Sequence, residues 1–269
     1  IVVNTNIGSL NAQRSLAESS RELSTAMERL SSGKKINSAA DDAAGFAIAE
    51  RMTAQVRGLN MATKNANDGL AMLATIENAT NDVTDMLQRI RELAVQAAND
   101  TNGAQDRTYL QTEVDSLVAE INRVSTDTVY NDSVVLDGNL SGSLQVGTAS
   151  GQTIDFAITS IDTTTLGVDA LDLSDATNAA TALTAIDSAI ETVAGNRAGY
   201  GALSNRLEYT VSNLMNVAEF TTAARSRIED ADFAAESARL AKAQVLQQTG
   251  TAMLAQANAS SQLAIQLIR

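Results

Sequence analysis

Apolar and small residues recur along most of the chain at alternating intervals of three and four, the spacing of one packed face of an α-helix. Near the amino terminus the pattern predicts a helix that ends at Gly33, since glycine commonly follows a last helical turn. A second pattern begins after the capping residues Asp41 and Asp42 and continues to Ala97, about 55 residues. A turn then precedes a third, shorter helix, whose face is formed by Leu110, Val114, Leu117, Ile121 and Val124.

The pattern changes between residues 130 and 174, where helical periodicity is lost. Short alternating stretches at 144–146 and 153–158, separated by Ser150-Gly151, predict a small β-hairpin region. Helical spacing returns from Leu183 to Leu214 and again from Ala243 to Leu267. We therefore predict a mainly α protein, an elongated antiparallel helical bundle or coiled coil with paired amino- and carboxyl-terminal helices and a hairpin region in the middle.

The two terminal helices carry narrow faces of mostly small residues, so neither is expected to be stable alone. Such helices become ordered by pairing, and intermolecular packing is favoured for them over a purely intramolecular core. The alternative, that the same faces only fill the core of one molecule, is favoured for the two long helices. The predicted assembly seam consists of Leu16, Leu23, Met27, Leu30, Leu246, Met253, Ala257, Ala264 and Leu267.

The composition excludes much enzyme chemistry. The chain has 269 residues and contains no Cys, no His and no Pro. Without them there is no Ser-His-Asp or Cys-His dyad, no disulfide and no thiolate or imidazole ligand for a metal. The absence of Pro favours long uninterrupted helices. No catalytic, cofactor-binding or metal site is expected.

Charge and hydropathy add two further exclusions. The net charge is -13, which argues against nucleic-acid binding. No run of 18 or more apolar residues occurs, so membrane insertion is not expected. The acidic residues are concentrated between Arg123 and Arg197, a stretch with ten acids and no Lys or Arg. This stretch is expected to face solvent.

Three small motifs could each bind a metal ion or a phosphate, but each also has an ordinary structural explanation. Asp41-Asp42 and the pair Asp230 and Asp232 could bind Ca²⁺, but their positions before helices favour capping. The run from Gly195 to Gly201 lacks the lysine of a phosphate loop, which favours a close-packed or flexible point within a helix.

Several longer stretches are recognisable together. They are residues 4–12, 30–45 (LSSGKKINSAADDAAG), 88–96 (QRIRELAVQ), 224–232 (ARSRIEDAD) and 247–269. These stretches closely resemble the terminal regions of bacterial flagellins, and the resemblance covers both ends and most of the helical part. It implies a flagellar filament subunit of a short form, because only about 50 residues separate the third helix from the returning one and large outer domains have no room.

The resemblance also implies a domain organisation. Residues 1–40 with 230–269 would form the inner, terminal-helix domain. Residues 41–229 would form a rod-like outer-tube domain with its hairpin region at about 130–174. Copies of the chain would assemble into a helical homopolymer used for motility.

Partners and location follow from the resemblance in the same way. The first ten residues lack the features of a cleaved secretory signal, which alone would favour a cytoplasmic protein. Flagellins instead leave the cell through the flagellar type III export channel, so an extracellular filament is expected. The expected partners are an export chaperone at the carboxyl-terminal segment, hook-filament junction proteins and filament cap proteins. No cofactor is implied.

One recognition surface is implied residue by residue. Arg89, Leu93 and Glu113 match the motif through which the flagellin-sensing Toll-like receptor of animals contacts flagellins, and the same surface packs subunits in the filament. Two other functions remain as alternatives. A hook-filament junction protein would share the terminal helices, although the 88–96 stretch favours flagellin. An enzyme inserted in the middle is disfavoured, because about 50 residues without His are too few for a catalytic domain.

Overall fold

The computed structural model describes residues 5–266, with side chains described up to residue 259. Four long helices dominate it: α1 (Ile7–Ser32), α2 (Ala43–Ala97), α5 (Ala176–Glu229) and α6 (Phe233–Gln266). A shorter helix, α3 (Ala104–Asp127), follows α2 after a turn. The predicted mainly α fold and the predicted order of its helices are confirmed.

The middle of the chain contains two antiparallel hairpins and one helical turn. β1 (Val129–Tyr130) pairs with β2 (Ser133–Val134), and β3 (Ser141–Gln145) pairs with β4 (Thr153–Ala157). The four-residue helix α4 (Thr163–Leu166) lies between β4 and α5. The second hairpin was predicted, whereas the first hairpin and α4 were missed because each is shorter than any periodic signal.

Contacts divide the chain into two units. One comprises the described residues up to Val56 together with those from Glu219 onward, and the other comprises Arg57–Ala218. Both boundaries fall inside long helices, α2 and α5. The domain limits of 40/41 and 229/230, which came from the family resemblance, stay a prediction.

The core of the unit 57–218 is formed by the faces of α2, α3 and α5 that the three-four spacing picked out. Fully buried side chains come from all three helices, since Leu87, Ile121 and Ile186 each have zero exposure. Ile76 and Val83 of α2, on either side of Thr80, are likewise fully buried. Burial of these branched side chains, about 1.5–3 kcal/mol each, is what stabilises this unit.

The β3–β4 hairpin packs on α2 at two glycines. A Cβ at Gly69 would lie 2.5 Å from Leu144 Cδ1, and a Cβ at Gly58 would lie 2.8 Å from Thr148 Cγ2. Between them Asn65 Nδ2 donates a hydrogen bond to the Gln145 carbonyl at 3.0 Å. The glycines thus allow the strand to approach the helix closely.

One member of each acidic pair, Asp42 or Asp232, caps a helix, as the ordinary explanation predicted. Asp42 Oδ1 accepts hydrogen bonds from the backbone N–H groups of Ala44 and Gly45 at 3.1 and 3.0 Å. Asp232 Oδ1 accepts from those of Ala234 and Ala235 at 2.9 and 3.2 Å. Both carboxylates therefore satisfy amide donors that the first turns of α2 and α6 leave without helical partners.

The glycines in α5 do not interrupt the helix. No atom lies within 4 Å of a Cβ built at Gly195, Gly199 or Gly201, and α5 is continuous through all three. Of the two expectations for this point, close packing is wrong, because the three glycines are exposed and a Cβ there would contact nothing. A flexible point in the helix stays a prediction.

Candidate assembly and recognition surfaces

The terminal helices α1 and α6 form an antiparallel pair. At one end Asn6 Nδ2 donates a hydrogen bond to the Ala257 carbonyl at 2.8 Å. In the middle Leu16 contacts Gly250, and at the other end Arg29 Nη1 lies 3.9 Å from Glu236 Oε1. Low residue numbers in α1 therefore lie beside high numbers in α6.

The contact face of this pair, here called the terminal seam, is built mostly of small residues. In α1 the positions turned toward α6 follow a three-four spacing, and so do those in α6 turned toward α1. Small side chains let two helix backbones approach closely, which compensates for their small apolar area. The buried and half-buried seam residues are Ser9, Ala12, Leu16, Ser19, Leu23, Ala26 and Leu30 of α1, and Glu236, Leu240, Ala243, Gln247, Gly250, Leu254 and Ala257 of α6.

Three of the predicted assembly-seam positions lie off the α1–α6 contact face, and their contact with other copies stays a prediction. Met27 is 57% exposed, Leu246 is 40% exposed and Met253 is 63% exposed. Ala26, Gln247 and Leu254 occupy the seam in their place, each one residue away. The sequence pattern favours the larger apolar residue, Met27, in this turn of α1. Close approach of the two helices instead places the smaller neighbour, Ala26, on the contact face.

The remaining predicted positions fall into two groups. The side chains of Leu16, Leu23, Leu30 and Ala257 are half-buried on the seam. The side chain of Ala264 and the whole of Leu267 lie outside the described residues. That any of these residues contacts another copy of the chain stays a prediction.

Backbone hydrogen bonds join the two chain segments at the base of the terminal pair, which is the end where α1 finishes and α6 begins. The Ala231 N–H donates to the Gly33 carbonyl at 2.9 Å, and the Lys35 N–H donates to the Glu229 carbonyl at 2.7 Å. Lys34 Nζ adds an ion pair with Glu229 Oε1 at 2.5 Å. Gly33 has a φ of +71°, so the left-handed conformation that ends α1 sets up this junction.

A buried carboxylate lies near the base of the seam. Glu236 is 5% exposed, and its Oε2 accepts a hydrogen bond from Arg239 Nη1 at 3.2 Å. Arg29 approaches its other oxygen, but Arg29 Nε is buried and has no hydrogen-bond partner in the described structure. Charges in the terminal pair are thus concentrated at this end.

One flank of the terminal pair is concave. Its distal cavity, of about 510 Å³, is lined by Gly8, Asn11, Ser15, Leu246 and Met253 among others. Its proximal cavity, also about 510 Å³, is lined by charged residues that include Arg21, Glu22, Arg29, Glu236 and Lys242. The two cavities are here called the terminal groove, apolar at its distal half and charged at its proximal half.

The predicted recognition surface lies on α2 and α3. Arg89 Nε donates to Glu113 Oε1 at 2.9 Å, and Arg89 Nη1 donates to Glu92 Oε2 at 2.9 Å. These hydrogen bonds, first that to Glu92 and then that to Glu113, raise the pKa of the guanidinium above its ordinary value. The three side chains form one exposed ionic group that joins the two helices.

Leu93 does not share that surface. Its side chain is 2% exposed and belongs to the hydrophobic core of the unit 57–218. Leu93 follows Arg89 by one helical turn and, like its neighbour Ala94, is buried. Of the three residues, Arg89 and Glu113 are exposed and Leu93 is buried, and their role in recognition stays a prediction.

No group of three or more acidic residues in the described part of the chain is arranged to hold a metal ion. Across residues 5–266, every helix is too short or too polar to span a bilayer.

Comparisons with known proteins agree on one family. Residues 3–141 match the family model of the bacterial flagellin N-terminal helical region, and residues 183–268 match that of the bacterial flagellin C-terminal helical region. A flagellin of Halalkalibacterium halodurans is 43% identical over the whole of both chains. The flagellar filament 33 kDa core protein of Treponema phagedenis is 39% identical, again over the whole of both chains.

Solved structures give the same result for the fold. The crystal structure of Bacillus cereus flagellin matches with a TM-score of 0.51 and 30% identity, covering 56% of this chain and 88% of that one. A flagellar hook-associated protein from Vibrio parahaemolyticus matches with a TM-score of 0.62 at 16% identity, covering 71% of this chain and 100% of that one, and shares the fold alone. The family models and the full-length relatives together show that this chain belongs to the bacterial flagellin family.

Proposed function

We propose that the protein is the structural subunit of a bacterial flagellar filament, and that it assembles by burying its terminal helices against other copies of itself. The observation that carries this proposal is the terminal helix pair. Its seam is narrow, and it leaves Leu10, Leu246 and Met253 at 54%, 40% and 63% exposure. Apolar residues in this number on one helix pair are typical of a surface that is covered in an assembly.

Family membership supports the same function over the two alternatives. The match to both flagellin regions includes the 88–96 stretch, and the hook-associated protein shares only the fold. The 48 residues between α3 and α5 form two small hairpins and one helical turn, which offer no space for an inserted catalytic domain.

Deletion of residues 243–269 tests the proposal. This segment supplies most of α6 but no residue of the core between positions 57 and 218. The truncated chain is expected to keep its helical circular dichroism from that unit and to yield no polymer in sedimentation. Normal filaments from the truncated chain would contradict the proposal.

A point variant provides the same test with less disturbance. Leu254→Glu places a charge in the distal part of the terminal seam, where the seam residues of α1 are uncharged, and is expected to prevent polymerisation. Ser150→Glu adds the same charge at the exposed turn of the β3–β4 hairpin and is the matched control, which is expected to polymerise. Equal behaviour of the two variants would argue against a role for the seam.

Export and partners complete the proposal. Terminal helices that need a partner to become ordered suit a chain that travels unfolded through the flagellar export channel and becomes ordered outside the cell. The carboxyl-terminal segment is then the expected site for an export chaperone, and the terminal helices are the expected contacts for hook-filament junction and filament cap proteins. Export in a strain lacking the flagellar type III apparatus is expected to fail.

The free subunit is also proposed to be recognised by the flagellin-sensing Toll-like receptor. Arg89 and Glu113 support this, since both are exposed and bonded to each other across α2 and α3. Leu93 is assigned a positioning role, because its buried side chain fixes the α2 surface on which Arg89 stands.

Reporter cells expressing that receptor test this second activity. Nanomolar monomer is expected to activate them, and Arg89→Ala is expected to weaken the response. Arg123→Ala is the control, since Arg123 is equally exposed on α3 and is bonded to Glu120. No response to the unaltered monomer, or equal loss in both variants, would refute the assignment.

A further inference from the structure

The turn between α2 and α3 contains the only Asn-Gly dipeptide of the chain, Asn102-Gly103. Gly103 is exposed and Asn102 is half-buried, and both lie outside the helices, between Ala97 and Ala104. Because glycine has no Cβ, no side chain shields its backbone nitrogen from the residue before it. The side-chain amide of Asn102 is therefore open to attack by the backbone nitrogen of Gly103.

A carboxylate lies at the attacking nitrogen. The Gly103 N–H donates a hydrogen bond to Asp106 Oδ2 at 3.0 Å. The proton that this nitrogen must lose in the reaction thus already points at an acceptor. Asp106 is exposed in the first turn of α3, so solvent can carry the proton onward.

We propose that Asn102 is a site of spontaneous deamidation, with the Asp106 carboxylate as the proton acceptor, and that the product loosens the connection between α2 and α3. This inference concerns the chemistry of the chain itself and does not rest on the proposed function.

The reaction has two steps and needs only water. In the first, the Gly103 nitrogen bonds to Asn102 Cγ, the bond from Cγ to Nδ2 breaks, and the proton released from the Gly103 nitrogen leaves with Nδ2 as ammonia. The product is a cyclic imide. In the second step water opens the imide at Cγ, which gives aspartate, or at the backbone carbonyl carbon, which gives isoaspartate.

One contact opposes the first step. Asn102 Nδ2 donates a hydrogen bond to the Gln96 carbonyl, and this bond must break before Cγ reaches the Gly103 nitrogen. A single hydrogen bond of this kind slows the attack by about tenfold at most. Asparagines within long helices, such as Asn122, are held more firmly, because the backbone N–H that follows them is bonded within the helix. Asn102 is therefore expected to react faster than they do.

The product places a negative charge where the amide donor stood. The Gln96 carbonyl loses its side-chain donor and faces a carboxylate near the carboxyl-terminal end of α2, where the helix dipole disfavours anions. Asp100 and Asp106 add like charges in the same connection. The isoaspartate form also lengthens the backbone by one methylene group. Both products are expected to loosen the turn.

Peptide mapping of the full chain by mass spectrometry, during incubation at pH 8, tests the proposal. The peptide that contains Asn102 is expected to gain about 1 Da and to separate into an aspartate and an isoaspartate form. Asn122 and Asn139 are controls within the same digest, since Arg and Leu follow them. Each is expected to convert at least about tenfold more slowly than Asn102, because a side chain shields the following nitrogen.

Two variants separate the roles of Gly103 and Asp106. Gly103→Ala is expected to slow the conversion at least about tenfold. The change retains the turn, because the φ of -74° suits alanine and the nearest atom to the new Cβ, Asp106 Oδ2, is 3.4 Å away. Asp106→Asn keeps an acceptor oxygen but not the charge, and is expected to slow the conversion several-fold. Asp115→Asn, the same change at an exposed position of α3, is the matched control and is expected to have no effect.

Three results would overturn these assignments. Conversion of Asn102 no faster than that of Asn122 or Asn139 would refute the site. Equal rates in Gly103→Ala and in the unaltered chain would refute attack by the backbone nitrogen. Equal rates in the two aspartate variants would refute the part assigned to Asp106. Filament formation is measured separately, by sedimentation, so the proposed function stands or falls independently.

Asn102→Asp reproduces the charge of one product and tests its effect on the turn. Hydrogen exchange of the backbone amides at 98–103 is expected to be at least about threefold faster than in the unaltered chain, because local opening is easier. Asn139→Asp adds the same charge in the hairpin region and is expected to leave exchange at 98–103 unchanged. Equal exchange rates in the two variants would contradict the loosening of the α2–α3 connection.

Discussion

Leu16 and Gly250 are in contact across the α1–α6 pair: a Cβ at Gly250 would lie 3.3 Å from Leu16 Cδ1. The leucine side chain of one helix thus lies over the glycine of the other, and this brings the two backbones together. The contact shows why a helix pair with so little apolar area can form, because close approach increases the number of atoms in van der Waals contact.

Gly250→Leu is expected to destabilise the terminal pair by about 1–3 kcal/mol, because a bulky side chain would push Leu16 and the α1 backbone away. Thermal unfolding of the terminal helices, followed by circular dichroism, measures the change. Gly195→Leu is the control, since nothing lies within 4 Å of its Cβ position and the substitution improves helix propensity. Equal losses in the two variants would show that Gly250 is not a packing position.

Two glycines of the hairpin region share a left-handed backbone but differ in their surroundings. Gly138 has a φ of +81° and a Cβ there would lie 3.1 Å from the Ser160 nitrogen, whereas Gly151 has a φ of +83° with nothing within 4 Å. Gly151→Ala is expected to cost about 1–2 kcal/mol for the left-handed conformation alone. Gly138→Ala is expected to cost more, because the backbone at Ser160 must also move. Chemical denaturation measures the free energy of unfolding of both variants. A larger loss of stability in Gly151→Ala than in Gly138→Ala would contradict the expected order.

Tyr200 is expected to make the protein sensitive to alkaline pH. Burial raises the pKa of its hydroxyl, with the Thr159 N–H, which donates to it at 3.3 Å, acting in the opposite direction. A raised pKa means that the folded state resists ionisation, so its contribution to stability is complete below pH 10 and is lost as the pH rises toward the folded-state value.

Absorbance titration and denaturation between pH 9 and 12 check this expectation. Among the absorbance changes of the four tyrosines, that of Tyr200 is expected above the ordinary pKa of a tyrosine. Tyr200→Phe should reduce the alkaline loss of stability, and Tyr209→Phe should not. Identical pH profiles for the two variants would contradict the assigned cause.

Leu93 and Arg89 are expected to differ in what their removal disturbs. Leu93→Ala deletes a side chain that is 2% exposed in the core and should cost about 2–5 kcal/mol of unfolding free energy. Arg89→Ala removes an exposed ionic contact and should leave the melting temperature nearly unchanged. Thermal melts of monomer separate the two, and a stable Leu93→Ala variant would place Leu93 on the surface after all.

Helix positions and helix faces were predictable wherever large apolar residues repeat. Ile76, Leu87 and Ile186 are buried as their spacing requires, and Gly33 ends α1 with the conformation that only glycine adopts readily. The hairpin from Ser141 to Ala157 also followed from its alternating residues.

The prediction was less accurate where small residues dominate. In the terminal helices Ala26 and Met27 are adjacent, and spacing alone does not decide which of them faces the partner helix. The structure places Ala26 on the contact face at 2% exposure and leaves the larger Met27 57% exposed. The burial of Leu93 was also not evident from the sequence, because its place in the core of the unit 57–218 depends on tertiary packing that no local pattern contains.

Helical reconstruction by electron cryomicroscopy of polymers formed from the unaltered chain would show directly whether the terminal helices are buried between copies. Open helical filaments are expected, in which all copies point the same way and the α1–α6 pairs are buried against their neighbours, with Leu246 and Met253 covered. A chain that remains monomeric or forms closed rings, or filaments whose α1–α6 pairs remain exposed to solvent, would contradict it.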